Sequence, residues 1–222
     1  MCCLAQQAEA AEHPCSRHGT CPSWMPKNDV CAGAFELAQS SLPEPILNHS
    51  LRVYCYAKWI SEHCTSSSID TSKYDLLFVA CIMHDIGCSD KFNGSERFEV
   101  EGADASVDYL RTHLVAEEST KQVWQAIALH TSPGIAERID PFTRLVRLGV
   151  LTDFGSYAEV DREFREATER DLPRLGIEKV LGDTVVAQAL DCPKKAPAAS
   201  WPGDLLRAKL ESPAWDGVNK AF

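Results

Sequence analysis

Apolar residues in this chain recur at three- and four-residue intervals, and no stretch alternates with period two for long enough to make a strand. The first strong block follows Pro43 and Pro45, residues suited to the opening turn of a helix. It carries Ile46, Leu47, Val53, Tyr54, Ala57 and Ile60 to about residue 63. A polar loop over 65–72 precedes a second block, 74–86, in which Leu76, Leu77, Phe78, Val79, Ala80 and Ile82 leave hardly any polar face. A helix apolar nearly all round belongs at the centre of a fold. Asp70 or Ser72 would cap it, and Gly87 would end it in the left-handed position after the last turn. Further helices are predicted over 97–113, 117–131, 142–154, 160–172 and 177–189, with Pro133, Gly134 and Pro141 marking two junctions. The fold class expected from this pattern is all-α.

The pattern divides the chain into three parts. Residues 1–42 read as a Cys-rich, partly flexible arm, with Cys2, Cys3, Cys15, Cys21 and Cys31, three prolines, and no strong periodicity before Ala32. Removing residues 1–30 is therefore expected to be tolerated. His13, Cys15, His18 and Cys21 carry donors that zinc favours, but their spacing matches no zinc module. Residues 43–192 form the helical domain, and 193–222 a C-terminal extension in which Leu205, Leu206 and Leu210 would pack on it.

Charge narrows the function. With 32 acidic and 22 basic side chains, the net charge of −10 argues against a nucleic-acid partner, which needs a basic stripe. The longest apolar stretch, 76–83, is too short to span a bilayer, and residues 1–12 have neither the basic start nor the apolar run of a signal peptide. The expectation is a cytoplasmic protein with no membrane partner, whose ten cysteines stay reduced. Cys55, Cys81 and Cys192 fall inside apolar patterns and read as small buried hydrophobes.

Candidate chemistry centres on His84 and Asp85, at the end of the most apolar helix. A carboxylate in such a run is costly unless it is paired or bound to metal. His49 lies inside the first helix, and Asp153 ends the apolar run 145–152, another carboxylate in a costly place. Two His and two Asp from three inward-facing helices suit a divalent transition metal and leave positions for water.

The segments LPEPILNHSLRVY, LLFVACIMHDIG and RLVRLGVLTDFG resemble the HD superfamily of metal-dependent hydrolases. With RFEVEGADAS and VWQAIALHTSPGIAERI, they are most similar to its cyanamide-hydratase-like branch. The resemblance covers about 42–155 and implies an irregular helical bundle of the HD type. It also implies one divalent metal, Zn or Fe first and Mn or Co next, held by His49, His84, Asp85 and Asp153. Ile86 stands where di-iron members carry a second Asp, which argues for one ion rather than two. Gly149 and Val150 occupy the region where cyanamide hydratases tend to carry a hydroxyl residue, which argues against cyanamide itself as substrate.

The expected activity is hydration of a small nitrile-like molecule. Asp85 would take a proton from water and His130 would donate one to the developing nitrogen anion. The alternative is a phosphohydrolase acting on a nucleotide or phosphate ester, with Lys91, Arg97 or Arg52 neutralising the phosphate. A third class, a binding protein with the fold but no activity, fits an intact four-ligand set poorly. Lys91 is the candidate cation closest to the HD turn, Glu44 a candidate hydrogen-bond partner for a ligating His, and His113 a candidate facing solvent. A small-molecule partner is expected, and the sequence leaves room for a homo-oligomer.

Overall fold

The computed structural model of the chain describes residues 24–214. Among them are ten α-helices and no strand: α1 Asp29–Ser41, α2 Glu44–His63, α3 Tyr74–Met83, α4 Phe98–Thr112, α5 Glu117–Leu129, α6 Ala136–Ile139, α7 Pro141–Asp153, α8 Arg162–Asp171, α9 Ile177–Asp191 and α10 Trp201–Glu211. The all-α expectation holds. Among the described residues no helix is long and apolar enough to cross a membrane.

α3 is the hub. Leu77 through Met83 are all fully buried, as an all-round apolar helix requires. α1, α2, α4, α5 and α7 pack around it. The most extensive helix packing is between α2 and α7. A Cβ on Gly149 would lie 2.6 Å from the Val53 carbonyl oxygen, so the two backbones approach as only glycine permits. That crossing sets His49 of α2 beside Asp153 of α7.

Gly87 has a different role from the one its sequence position suggests. It is not among the residues with positive φ, so it is no left-handed cap. α3 stops at Met83, His84 keeps helical angles, and the chain tightens into a 3-10 turn, Ile86–Cys88. A Cβ at Gly87 would fall 2.1 Å from the Phe98 carbonyl oxygen. The glycine is needed so that the start of α4 can close over the turn carrying Asp85.

The end of the expected N-terminal arm is corrected. Residues 29–41 form α1, capped by Asn28, whose side chain accepts from the Cys31 amide at 2.9 Å. Cys31, Ala34, Phe35 and Ala38 are buried, an i, i+3, i+4, i+7 stripe. Assigning Cys31 to the cysteine-rich leader hid the first member of that stripe. Trp24 and Met25 also pack on the core, so a truncation to residue 30 would cut into it. His13, Cys15, His18 and Cys21 lie outside the described residues.

At the other end, Ser200 caps α10 by accepting from the Gly203 amide at 3.1 Å, and α10 lies on α9 with Trp201 and Leu205 buried. Leu206 is half-buried and Leu210 exposed. The six described cysteines are unbridged. Cys81 is buried as expected, whereas Cys55 and Cys192 are only half-buried. Burial pushes the Cys55 thiol up to about 12.

If α1 is part of the core, Phe35→Ala should destabilise the protein by about 3–5 kcal/mol in urea denaturation. A loss below about 1 kcal/mol would detach α1 from the core.

Candidate metal centre

Three helices and one turn bring side chains toward one point. His49 comes from the second turn of α2, His84 from the C-terminal cap of α3, Asp85 from the turn after it, and His130 from the C-terminal cap of α5. None of these side chains is more than 3% exposed. His49, His84 and Asp85 bring ligand-type atoms within 4.8 Å of one another, the spacing a single ion requires.

The hydrogen bonds behind the rings fix what faces that point. His84 Nδ1 lies 2.7 Å from the Cys81 carbonyl oxygen and His130 Nδ1 lies 2.7 Å from that of Ile127. A carbonyl oxygen only accepts, so both Nδ1 atoms carry hydrogen and donate. His49 Nδ1 likewise donates to Asp153 Oδ2 at 2.6 Å. In the neutral rings, every Nε2 therefore presents a lone pair to the interior. His49 Nε2 and His84 Nε2 are 3.1 Å apart. Asp85 Oδ2 stands 3.3 Å from His84 Nε2 and 3.5 Å from His49 Nε2, while its Oδ1 is 3.5 Å from His130 Nε2. Neither Asp85 oxygen has a hydrogen-bond partner although both are buried. A buried point ringed by acceptors is satisfied by a cation, and two imidazoles with a carboxylate are ligands that divalent transition metals accept. The residues present fit the ion.

Electrostatics point the same way. Burial lowers the pKa of His49, keeping its Nε2 free to ligate. Burial also opposes a charge on His84, but the adjacent Asp85 carboxylate outweighs it and raises the pKa. Burial works against ionised Asp85 too, yet the His84 and His130 imidazoles hold it well below the usual carboxylate range. The cluster draws positive charge to itself, as a proton or as a metal ion.

Asp153, the fourth residue of the expected ligand set, is placed differently from the other three. Its carboxylate lies behind the His49 ring, against Nδ1, and does not join His49, His84 and Asp85 in the cluster. Arg52 grips it in a two-pronged pair, Nε to Oδ1 at 2.6 Å and Nη2 to Oδ2 at 2.9 Å. Arg174 adds a contact to Oδ1 at 3.3 Å and donates to the Asp153 carbonyl at 2.7 Å. Burial raises the Asp153 pKa, but the Arg52 and His49 hydrogen bonds overcome it and hold the pKa far down. A carboxylate so held orients the ring it accepts from and makes it a better ligand. Sequence reasoning could not separate the two roles, because both need a buried Asp at the end of α7.

Other candidates fall in different places. Lys91 is exposed over the Phe92 ring and lines a separate surface groove with Leu37 and Asp108, so the structure does not bring it to the cluster. The 3-10 turn Asp90–Phe92 carries it away from the cluster to which a catalytic role was expected to bring it. Arg52, fully buried, is engaged by Asp153 and by the Leu172 and Pro173 carbonyls at 2.9 and 3.3 Å. Glu44 and His113 are exposed, and the partner role considered for Glu44 falls to Asp153. Arg97 reaches Thr131 Oγ1 at 3.2 Å, next to His130, and pairs with the fully buried Glu99. Glu99 and Arg174 were not among the sequence candidates: neither ends a long apolar run of the kind that made Asp85 visible.

A profile of the HD-domain family matches residues 46–175, more than half the chain. The chain belongs to the HD-domain family. The superfamily comprises metal-dependent hydrolases and phosphohydrolases, and its domains bind divalent metals. No curated protein matches the chain significantly. The matched residues run from the first turns of α2 past the end of α8 and contain the whole cluster.

Purified protein should therefore carry about one divalent ion, and His84→Ala or Asp85→Ala should lose it. Asp153→Asn should keep it with affinity about 10–100-fold weaker. Elemental analysis and chelator competition read both, and complete loss in Asp153→Asn would return Asp153 to the ligand set. Because metal must displace a proton from His84, retention should weaken as pH falls, starting above the ordinary imidazole value of 6.5. Arg52→Ala leaves the Asp153 charge buried with its main partner gone and should cost about 3–5 kcal/mol. The depressed pKa of Asp153 stabilises the fold fully above its ordinary value of 3.8, and that stability is lost as pH falls below it toward the folded-state value.

Proposed function

We propose that this chain is a metal-dependent hydro-lyase that adds water to a small nitrile-like C≡N group. The observation that carries the reading is that, among the described residues, Asp85 pairs with imidazoles alone and no Lys or Arg lies within ion-pair distance of it. Arg52 and Arg174 are held by Asp153, and Lys91 is on the surface. Phosphoryl cleavage brings negative charge to the reacting centre and needs cationic partners there. A neutral nitrile does not. The deep burial of the cluster also favours a small substrate.

A divalent ion held by His49, His84 and Asp85 supplies Lewis acidity, lowering the pKa of water toward neutrality and polarising the nitrile. The chain's own part is proton management. With Nδ1 of His130 already donating to Ile127, a proton arriving at its Nε2 makes an imidazolium beside Asp85 Oδ1, 3.5 Å away. Asp85 Oδ1 takes a proton from the attacking water and passes it to His130 Nε2. His130 then gives it to the nitrile nitrogen as the C–O bond forms and one C–N π bond breaks. The product is an imidic acid, HO–C(R)=NH, which tautomerises to the amide, so water is added with no other reactant. Thr131, beside His130, is fixed by its bond to Glu99 Oε1 at 2.6 Å. The Arg147 guanidinium holds the His130 carbonyl at 3.0 Å. Both bonds keep the acid in place.

A second reading, an HD phosphohydrolase acting on a nucleotide or phosphate ester, draws support from Arg97 beside Thr131. Amide release from cyanamide and simple nitriles, set against phosphate release from nucleotides and esters, separates the two in metal-restored protein. Under the hydration reading, His130→Ala should lower turnover about 100-fold or more with metal still bound, and Lys91→Ala should change it less than about twofold. Phosphate release without nitrile hydration, falling about 100-fold in Arg97→Ala, would replace it with the second reading. Loss of the metal in His130→Ala would make His130 a ligand.

A further inference from the structure

Beside Thr131 and Ser132 a cavity of about 470 Å³ opens between the segment after α5, the middle of α7 and the first turns of α10. Three arginines line it, Arg97, Arg147 and Arg207, against one carboxylate, Asp204. In a chain with a net charge of −10, this wall runs against the overall balance. Half of the wall, Ala198 through Arg207, comes from the segment after residue 175, outside the family match.

Each guanidinium is anchored by hydrogen bonds. Arg97 donates to Glu99 through Nε at 2.9 Å and Nη2 at 2.5 Å. Arg147 is tied to Glu137 at 3.2 Å and to the His130 carbonyl at 3.0 Å. Arg207 donates to the Ala198 carbonyl at 2.8 Å and pairs with Asp204. Among the described residues the contacts of Arg97 and Arg207 use part of each five-donor fork, and Arg97 Nη1 and Arg207 Nε have no hydrogen-bond partner. Anchored guanidinium groups lose little freedom on binding a planar oxyanion, and a carboxylate can accept from one N–H of each.

The charge balance selects among oxyanions. Three cations face the cavity, but Glu99, Glu137 and Asp204 stand against them one for one. Donors are plentiful while net positive charge is small, which suits a monoanion better than a phosphate dianion. Trp201, Ile135 and Pro133 supply an apolar wall beside the arginines. From this geometry we infer that the cavity is a binding site for a small organic carboxylate, with its charge on the arginine wall and its apolar body on Trp201. The site abuts the metal centre through Thr131 and His130, and the C-terminal segment, not the family domain alone, decides what it accepts. The inference is independent of the hydration reading, because binding is measured without turnover.

The test is calorimetric titration of the full-length protein with sodium benzoate at fixed ionic strength, with inorganic phosphate and sodium chloride as separate arms. Benzoate should bind saturably, and at least tenfold more weakly to Arg207→Ala, a half-exposed residue whose loss leaves the core untouched. Asp204→Asn, which removes the opposing charge, should bind benzoate several-fold more tightly, a gain that misfolding cannot imitate. Absence of saturable benzoate binding, phosphate bound in preference to benzoate, or affinity unchanged in both variants would each overturn the inference.

Discussion

Lone pairs facing one another in a buried space repel, and the neutral imidazoles of this fold place several of them around a single point. The Nδ1 atoms of His49, His84 and His130 each donate to an acceptor behind the ring, so their Nε2 atoms and both oxygens of Asp85 meet with no donor among them. Burial makes the arrangement expensive without positive charge at its centre. α3 must run through the middle of the bundle to present His84 and Asp85 together, and α4 must close tightly over Gly87 to keep water from Asp85.

One layer out, the Arg52–Asp153 pair holds this geometry. α2 contributes both the ligating His49 and Arg52 three residues later, on the same helical face. α7 contributes Asp153, and the Gly149 crossing brings the two helices close enough for contact. Arg52 also ties down the Leu172 and Pro173 carbonyls, so the chain leaving α8 is fixed by the same residue. A buried ion pair of this kind adds little net stability relative to a well-packed apolar pair, but its partial removal is severe. Its value here is orientation: it sets which nitrogen of His49 faces inward.

Much of this was legible from residue order alone. Helical periodicity located α2 through α5 and α7 through α9, and the apolar context of Asp85 and Asp153 marked both as residues that need a partner. What periodicity cannot show is the direction of a side chain at a helix end. Asp153 and Asp85 look alike in sequence, but one turns to the ring of His49 and the other to the shared centre. Lys91 looked close because it follows the HD turn, and the 3-10 turn points it to solvent. α1 was hidden by the cysteine that begins its buried stripe, and Gly87 was read as a cap when its role is close packing. Each miss concerns a local geometry that tertiary contact decides.

The central claim, a single ion held by imidazole and carboxylate groups, is tested most directly by X-ray absorption at the edge of the metal in the purified protein. The account predicts about one ion per chain in a shell of nitrogen and oxygen only, with the outer-ring scattering of at least two imidazoles. A sulfur shell from the cysteines, or protein that folds with no stoichiometric metal even after reconstitution, would contradict it.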